Sequence, residues 1–294
     1  MRVLLILLDG VGAGARDAAI NPLMRPGIRF LANFEDDPAG KPVARGGFFV
    51  PLDACLDVEG LPQSATGHTA LLTGVNASAR LGRHLPGFPN AKLNAILREE
   101  SILLRLAAMG RRVAFVNAFR PRFFEMGDAV WRRPLSASTN ANFGLPFRTL
   151  DDLRAGRAVY HDITNRDLIE RDLDVPIRTP EESGVILASL AEQSDFTFFE
   201  FFRTDFAGHS QEPEFARDEI ARFELFLEAM LAATDLEETL VVVAADHGNV
   251  EDLSFRGHTA NPAQGLVFGA GAEEAAAKLR ALTDVASVVL ERVG

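Results

Sequence analysis

The chain contains few of the residues that cross-link proteins or anchor them in membranes. Its 294 residues include one cysteine, Cys55, so no disulfide can form within the chain, as is typical of proteins from a reducing compartment. No apolar run approaches the ~18 residues of a membrane span. The opening MRVLLILLDG has a short apolar run that ends at Asp9, and no small-residue cleavage site follows it. We therefore expect a cytoplasmic protein without membrane contact.

Lysine is also scarce, and arginine supplies nearly all of the positive charge. The formal net charge is −11, and the lysines are limited to Lys41, Lys92 and Lys278. Such an acidic chain lacks the electrostatic footprint of a nucleic-acid or anionic-membrane binder. The acidic net charge does not exclude a phosphorylated substrate, because bound divalent cations would dominate the local electric field. The apolar fraction of 47% and the charged fraction of 24% are those of an ordinary globular protein.

Three apolar runs are each followed by acidic residues. The runs are Val3–Leu8, Phe196–Phe202 and Leu240–Ala245, and they precede Asp9, Asp205 with His209, and Asp246 with His247. Strands this apolar are usually covered on both faces, as in a parallel sheet between helices. Ligands of such sheets bind beyond the carboxyl ends of the strands. The three acidic clusters therefore predict a shared cation site.

Strand and helix patterns alternate along the chain, which predicts a doubly wound, mostly parallel α/β fold in one domain, residues 1–294. Helices are expected near Met24–Asn33, over Ala91–Met109, from Thr179 to about Gln193 and over Pro213–Ala233. Residues 120–156 lack a long periodic pattern and form the candidate lid or insertion. We see no internal repeat and no low-complexity segment.

Ser64 precedes an apolar-periodic segment, Ala65–Leu72, and so stands where a helix N-cap belongs. The free backbone N–H groups and the dipole of a helix N-terminus favour phosphate. A hydroxyl next to a bound metal becomes a nucleophile at neutral pH. An ordinary capping role for Ser64 is the alternative, and Thr66 is a rival nucleophile.

Three of the six histidines, His209, His247 and His258, lie in the segments DFAGH, ADHGN and GHTANP. Glycine or alanine flanks each of them, and small residues let the backbone approach a crowded site. Carboxylate, imidazole and hydroxyl ligands suit zinc or manganese. The alternative is that each aspartate merely caps a turn and each histidine is structural.

Together the motifs DG-x-G, S-x-x-G-H, D-x-x-x-H, DHG and H-T-x-N-P resemble the metalloenzymes of the alkaline phosphatase superfamily. They are most similar to the branch that contains cofactor-independent phosphoglycerate mutase and phosphopentomutase. The five motifs occur in the family's order, and the closing stretch from Leu282 to Gly294 is similar to its last helix. The resemblance thus spans both ends of the chain and leaves the middle unmatched. A sulfatase-like nucleophile is disfavoured, because Cys55 has neither of the partner residues of that branch.

The resemblance implies two divalent metal ions, manganese or zinc. It implies that one is held by Asp9, Asp246, His247 and the Ser64 oxygen, and the other by Asp205, His209 and His258. It also places the nucleophile at Ser64 rather than Thr66. Further residues that we expect near the substrate are His68, Arg83, Asn117 and Arg120.

The chain departs from the mutases in the interval between the nucleophile and Asp205. The mutases carry a large cap domain there, whereas core helices and strands occupy most of that interval in this chain. We therefore expect a two-metal hydrolase that acts on a small phosphorylated metabolite through a phosphoserine. The alternatives are a phosphomutase and a catalytically silent metal-binding protein on the same fold. The sequence does not reveal an oligomeric state.

Overall fold

The structure, a computed structural model, describes residues 1–294 as helices packed on a seven-stranded sheet. The strands are β1 (Arg2–Leu8), β2 (Lys41–Val43), β3 (Gly47–Leu52), β4 (Val113–Phe115), β5 (Phe196–Phe201), β6 (Thr239–Ala245) and β7 (Ala263–Gly269). The helices are α1 (Ser64–Thr73), α2 (Ala77–Leu81), α3 (Ala91–Glu100), α4 (Ile102–Ala108), α5 (Pro121–Glu125), α6 (Ala137–Ala141), α7 (Leu150–Arg154), α8 (Arg166–Ile169), α9 (Pro180–Glu192), α10 (Arg203–Ser210), α11 (Pro213–Ala233), α12 (Ala272–Lys278) and α13 (Leu282–Val293).

The sheet order is β2-β3-β7-β6-β1-β5-β4. Strands β4, β5, β1 and β6 pair in parallel, whereas β7 pairs antiparallel with β6, β3 with β7, and β2 with β3. Five strands therefore share one direction, and β7 and β2 oppose it. The predicted doubly wound, mostly parallel α/β fold is confirmed.

Helices cover the sheet on both faces. Helices α1, α3, α4, α6 and α13 pack together, and α9 packs with α11. Both α13 and α9 contact β1, whose residues Val3–Leu8 are all buried. The phenylalanines of β5 lie in the core, where Phe199 and Phe201 contact Phe226 and Phe223 of α11 at ring-centroid distances of 5.5 and 5.1 Å. No helix of the chain is both long enough and apolar enough to span a bilayer.

Two helices begin and end where their sequence signals predict. Thr179 caps α9 with a capping box to Glu182, and α11 occupies Pro213–Ala233 as expected. The predicted helix over Ala91–Met109 is instead two helices, α3 and α4, because Ser101 leaves the helical conformation. The Ser101 side chain then caps α4 and donates a hydrogen bond to Ala141 O at 2.8 Å.

The helix expected near Met24–Asn33 is wrong: only a single 3-10 turn forms, at Pro22–Met24. Pro26 and Gly27 interrupt the segment, and the N–H groups that a helix would use bond elsewhere. The buried Glu224 carboxylate of α11 accepts hydrogen bonds from the backbone N–H groups of Arg29, Phe30 and Leu31, at 2.7, 3.0 and 2.8 Å. This contact with a distant helix holds the segment in an irregular, bent conformation.

Residues 120–156 form short helices, α5 to α7, and a 3-10 turn. Helix α6 packs on α1 and α3, whereas Leu150 and Leu153 of α7 belong to a separate seven-residue apolar cluster with Tyr160. That cluster lies beside the carboxyl end of β4. The segment's role as a lid stays a prediction.

Candidate metal centre and active site

The strand register brings the predicted acids to one edge of the sheet. Leu8, the last residue of β1, pairs with Phe201 of β5 and with Ala245 of β6. Asp9 and Asp246 therefore leave the sheet side by side. Asp205 does not directly end a strand, as the sequence had indicated, but lies in the first turn of α10, which follows β5. Helix α10 still brings Asp205 and His209 to the same edge of the sheet, as expected.

A first group consists of Asp9, Asp246 and His247, whose ligand atoms lie within 4.8 Å of one another. The Nε2 atom of His247 is 3.3 Å from Asp9 Oδ1 and 3.1 Å from Asp246 Oδ2. Ser64 Oγ lies 3.0 Å from the same Nε2 atom. The four residues that the resemblance implies for one metal are thus brought together.

A second group consists of Asp205, His247 and His258, with His209 beside it. His209 Nε2 is 3.2 Å from His258 Nε2 and 3.4 Å from Asp205 Oδ2. The expected second set, Asp205, His209 and His258, is therefore also assembled. His247 lies in both groups because its ring stacks on that of His258 at 3.7 Å.

Backbone carbonyls orient two of these histidines. His258 Nδ1 lies 2.8 Å from Pro62 O, and His247 Nδ1 lies 3.3 Å from Gly248 O. A carbonyl oxygen only accepts, so the proton belongs on Nδ1 and the Nε2 lone pair faces the site. Such hydrogen bonds typically hold metal-binding imidazoles in place.

The site concentrates negative charge away from water. Asp9, Asp205, Asp246 and Glu200 are all buried. Burial and the charges of Asp246, Asp205 and Glu200 raise the pKa of Asp9 well above its ordinary value. Asp9 Oδ1 and Asp246 Oδ2 are buried and accept no hydrogen bond. Buried carboxylate oxygens whose nearest polar neighbours are imidazole nitrogens fit a divalent cation of the zinc or manganese type.

Ser64 is the first residue of α1 rather than its N-cap, which is Gln63, and no side chain caps the helix. The N–H groups of the first turn therefore remain available to an anion. The rival hydroxyl of Thr66 is buried; it donates to Gln63 O at 3.1 Å and accepts from Leu85 N at 3.2 Å. Thr66 is thus occupied, whereas Ser64 faces the site.

The glycine of the S-x-x-G-H motif allows α1 to approach β6. A Cβ atom on Gly67 would lie 3.0 Å from the carbonyl oxygen of Asp246. A side chain at this position would push Ser64 away from the acids. Gly208 of the D-x-x-x-H motif likewise allows a close approach, here of α10 to Asn249, because a Cβ atom on Gly208 would lie 2.4 Å from Asn249 Oδ1.

His68, expected near the substrate, lies between carboxylates. Its Nε2 atom is 3.0 Å from Asp246 Oδ2, and its Nδ1 atom is 3.5 Å from Glu200 Oε1. Burial alone would lower the pKa of His68, but Asp246 and Glu200 outweigh it and raise the pKa. The sequence interpretation missed Glu200. One feature of the sequence could have indicated Glu200: it is the single charged residue inside an otherwise apolar strand.

A second missed residue is Glu251, which is fully buried behind the site. Its carboxylate accepts hydrogen bonds from Gly12 N and Asn249 N, both at 2.8 Å, and from Thr259 and Asn261 of the H-T-x-N-P motif. Glu251 therefore ties together the loops that follow β1 and β6. Asn249 in turn donates to Asp205 Oδ1 at 2.6 Å.

A cavity of about 500 Å³ opens at this edge and is lined by Asp9, Ser64, His68, Asp205 and Glu200 at the metal-binding end. Asn117 and Arg120 also line it, as do Pro134, Leu135, Ser136 and Thr139 from the 120–156 segment. Arg83, expected near the substrate, is exposed and does not line the cavity.

Asn117 lines the cavity, but both ends of its amide are occupied. Its Nδ2 donates to Glu200 O at 2.8 Å, and its Oδ1 accepts from Glu200 N at 2.9 Å. We predict that Asn117→Ala lowers the free energy of unfolding by about 1–3 kcal/mol, because two buried backbone groups lose their partners. Urea denaturation measures this loss. Unchanged stability combined with a raised KM would instead indicate direct contact with substrate.

Comparison with known proteins gives a match to a family model over the second half of the chain and a shared fold. Residues 157–294 match the family model described as the metalloenzyme superfamily. The 2,3-bisphosphoglycerate-independent phosphoglycerate mutase of Pyrococcus abyssi is 28% identical over 85 residues, which is 29% of this chain and 20% of that protein. The enzyme of the same name from Pyrococcus horikoshii is 30% identical over 82 residues, 28% of this chain and 19% of that protein. The chain thus spans about one fifth of the length of these relatives.

Among solved structures, the alkaline phosphatase from the Antarctic bacterium TAB5 has a TM-score of 0.55 at 14% identity, over 99% of this chain and 98% of that chain. The C-terminal periplasmic domain of EcEptC from Escherichia coli has a TM-score of 0.50 at 10% identity, over 100% of this chain and 82% of that chain. Identities this low establish the fold alone. With the family match, they confirm the resemblance to the alkaline phosphatase superfamily, without a large cap domain.

Proposed function

We propose that this protein is a metal-dependent phosphohydrolase that acts on a small phosphorylated metabolite through a phosphoserine at Ser64. The observation that carries the proposal is the position of the Ser64 hydroxyl. It lies at the uncapped N-terminus of a buried helix and 3.0 Å from His247 Nε2, beside Asp9 and Asp246. A serine with only a capping role would not need this cluster of carboxylates and imidazoles.

Two sets of residues would hold the divalent cations. Asp9, Ser64, Asp246 and His247 form the first, and Asp205, His209 and His258 form the second. When bound, the cations would lower the pKa of a hydroxyl and balance the negative charge that develops on the phosphoryl oxygens. The buried carboxylate oxygens without hydrogen bonds support this assignment. Manganese and zinc both suit the ligands.

The chain's own groups would position the reaction. Ser64 Oγ gives up its proton and attacks phosphorus, so that the Oγ–P bond forms while the ester P–O bond breaks. The leaving oxygen takes up a proton and departs as the alcohol. The N–H groups at the start of α1 face the transferring oxygens and stabilise their charge. Water then cleaves the phosphoserine and releases inorganic phosphate. The open edge of the site, where the His209 side chain is 42% exposed, supports access of that water.

A phosphomutase is the second candidate, and the two curated relatives favour it. A mutase must shield its phosphoenzyme from water while the substrate reorients, which requires a domain that closes over the site. The segment 120–156 holds only short helices and contributes part of one wall. This geometry favours hydrolysis over internal transfer.

Incubation with 3-phosphoglycerate and with ribose 1-phosphate, in the presence of manganese, tests this choice. We expect free phosphate without an isomer, because the site has no closing domain. Free phosphate and isomer are followed separately. Isomer formation without phosphate release would identify a mutase. A generic aryl phosphate monoester and diester serve as reference substrates. If neither of these is turned over, and no compound of a broad metabolite panel is either, the result would favour a catalytically silent metal-binding protein.

A further inference from the structure

Helix α10 carries Asp205 and His209, two of the three ligands assigned to the second cation, and an arginine holds its opposite side. At about 100° per residue, Asp205 and His209 lie about 200° and 240° around the helix from Arg203. The Arg203 side chain is 18% exposed. No side chain caps α10, which begins at Arg203 and ends at Ser210. The position of this short helix therefore depends on the contacts that its own side chains make.

The Arg203 guanidinium joins α10 to two other helices. Its Nη1 atom lies 3.2 Å from Asp167 Oδ2 of α8, and its Nη2 atom lies 3.1 Å from Glu219 Oε1 of α11. The guanidinium also lies over the ring of Phe215 in α11, 5.3 Å from the ring centroid. The Glu219 side chain is only 1% exposed, so its charge depends on arginine partners rather than on water. One side chain thus fixes the start of α10 against α8 and α11.

The next two residues connect the same turn of α10 to the acids of the site. Thr204 Oγ1 donates a hydrogen bond to Asp9 O at 2.5 Å. The Asp205 carboxylate accepts a hydrogen bond from Asn249 at 2.6 Å. The first turn of α10 is therefore held between the edge of the sheet and the helices α8 and α11. A shift of that turn would move Asp205 and His209 together, because both belong to one helix.

The charges of the site oppose this arrangement. Asp205 is buried together with Asp9 and Asp246, and carboxylates that share a buried site repel one another until a cation binds. A short helix without a cap can rotate or slide under that repulsion. The two ion pairs of Arg203 oppose the movement, because it would separate the buried Glu219 carboxylate from a partner and leave its charge poorly compensated.

We propose that Arg203 is a positioning residue that fixes α10 and thereby presents Asp205 and His209 to the second cation. The inference rests on the proposed function, since it uses the second set of metal ligands assigned there. Arginine suits this task because its planar guanidinium donates to two carboxylates at once, here those of Asp167 and Glu219.

Arg222 provides a matched control, because it shares the Glu219 partner. Its Nη1 atom lies 2.6 Å from Glu219 Oε1, and both residues belong to α11. Arg222→Met removes the same charge from beside the same buried carboxylate, but it removes no ion pair of α10. A loss of stability from a poorly paired Glu219 is therefore expected in both Arg203→Met and Arg222→Met. A loss of metal affinity is expected in Arg203→Met only.

Calorimetric titration of manganese into the metal-free protein tests the inference. We expect two binding steps in the wild type, and His209→Ala identifies the step that belongs to the second set of ligands. Arg203→Met should weaken that step by about 10- to 100-fold, the usual effect of removing a residue that orients a metal ligand, and leave the other step close to that of the wild type. Arg203→Lys keeps the charge but pairs with one carboxylate instead of two. It should lose part of the affinity, and it gives the same test if Arg203→Met does not fold.

Electron paramagnetic resonance gives a second readout that a general loss of stability would not change. Two manganese ions at the usual two-metal spacing of roughly 3.5–4 Å couple magnetically. At a manganese concentration that saturates both steps of the wild type, Arg203→Met should show a weaker coupled signal, and Arg222→Met should show the signal of the wild type.

Three results would overturn the inference. One is an unchanged second-set affinity in Arg203→Met. Another is an equal loss in Arg222→Met, which would assign the whole effect to Glu219. The third is a wild type that binds fewer than two manganese ions.

Turnover of the reference aryl phosphate separates this inference from the proposed function. Hydrolysis by the wild type, with equal manganese affinities in the wild type and Arg203→Met, would refute the positioning role and leave the hydrolase intact. A selective loss of the second-set affinity in Arg203→Met, without turnover of any ester by the wild type, would support the positioning role and refute the hydrolase.

Discussion

Ser64→Ala is expected to lower the rate of aryl phosphate hydrolysis by about 10³- to 10⁶-fold, the range found when a nucleophile is removed. The reason is that the Ser64 hydroxyl is the one placed against His247 and at the free N-terminus of α1. Steady-state release of phosphate measures the loss. Trapping of labelled phosphate on the wild type, but not on the variant, would identify the phosphoserine directly.

Thr66→Val is the matched control, because Thr66 is the rival hydroxyl two residues away. Its bonds to Gln63 and Leu85 are structural, so we expect a modest loss of stability and a rate within about tenfold of the wild type. The metal content of both variants is measured in parallel and should remain close to that of the wild type. Retained activity in Ser64→Ala would move the nucleophile to Thr66 or to a hydroxide.

Asp9→Asn is expected to reduce the thermal stabilisation that manganese or zinc gives the wild type, without abolishing it, because the second set of ligands stays intact. A ligand at a hundred times its Kd adds about 2.7 kcal/mol, which raises Tm by roughly 4 °C in a protein of this size. The variant loses a carboxylate ligand. Without metal, its Tm should equal or exceed that of the wild type, because one charge is removed from a buried group of four carboxylates.

Thermal unfolding after chelation, and again after addition of each metal, measures both effects. Asp128→Asn makes the same change of charge on an exposed residue of the 3-10 turn at Gly127–Arg132 and should keep the full metal-induced rise. A rise in Asp9→Asn as large as in the wild type would contradict the assignment of Asp9 as a ligand. So would the absence of any metal effect on the wild type.

Local patterns determined much of this fold in advance. The capping box at Thr179 and the proline at the start of α11 fixed two helices, because caps act within a single turn. The apolar runs of β1, β5 and β6 predicted buried parallel strands. Parallel strands end at a common edge, so the sequence also predicted that Asp9, Asp205 and Asp246 converge.

Tertiary contacts decided the remainder, because they join residues that no local pattern connects. Glu224 lies nearly two hundred residues from residues 29–31 in the sequence, yet it accepts their backbone N–H groups and so overrides their helical pattern. Glu200 meets His68 only once β5 and α1 are packed together. The antiparallel direction of β7 and the occupied amide of Asn117 likewise depend on pairing partners far along the chain. The sequence alone therefore determined that the strand-terminal aspartates and the motif histidines converge. Only the packed structure added Glu200 and Glu251 to them and decided what each side chain contacts there.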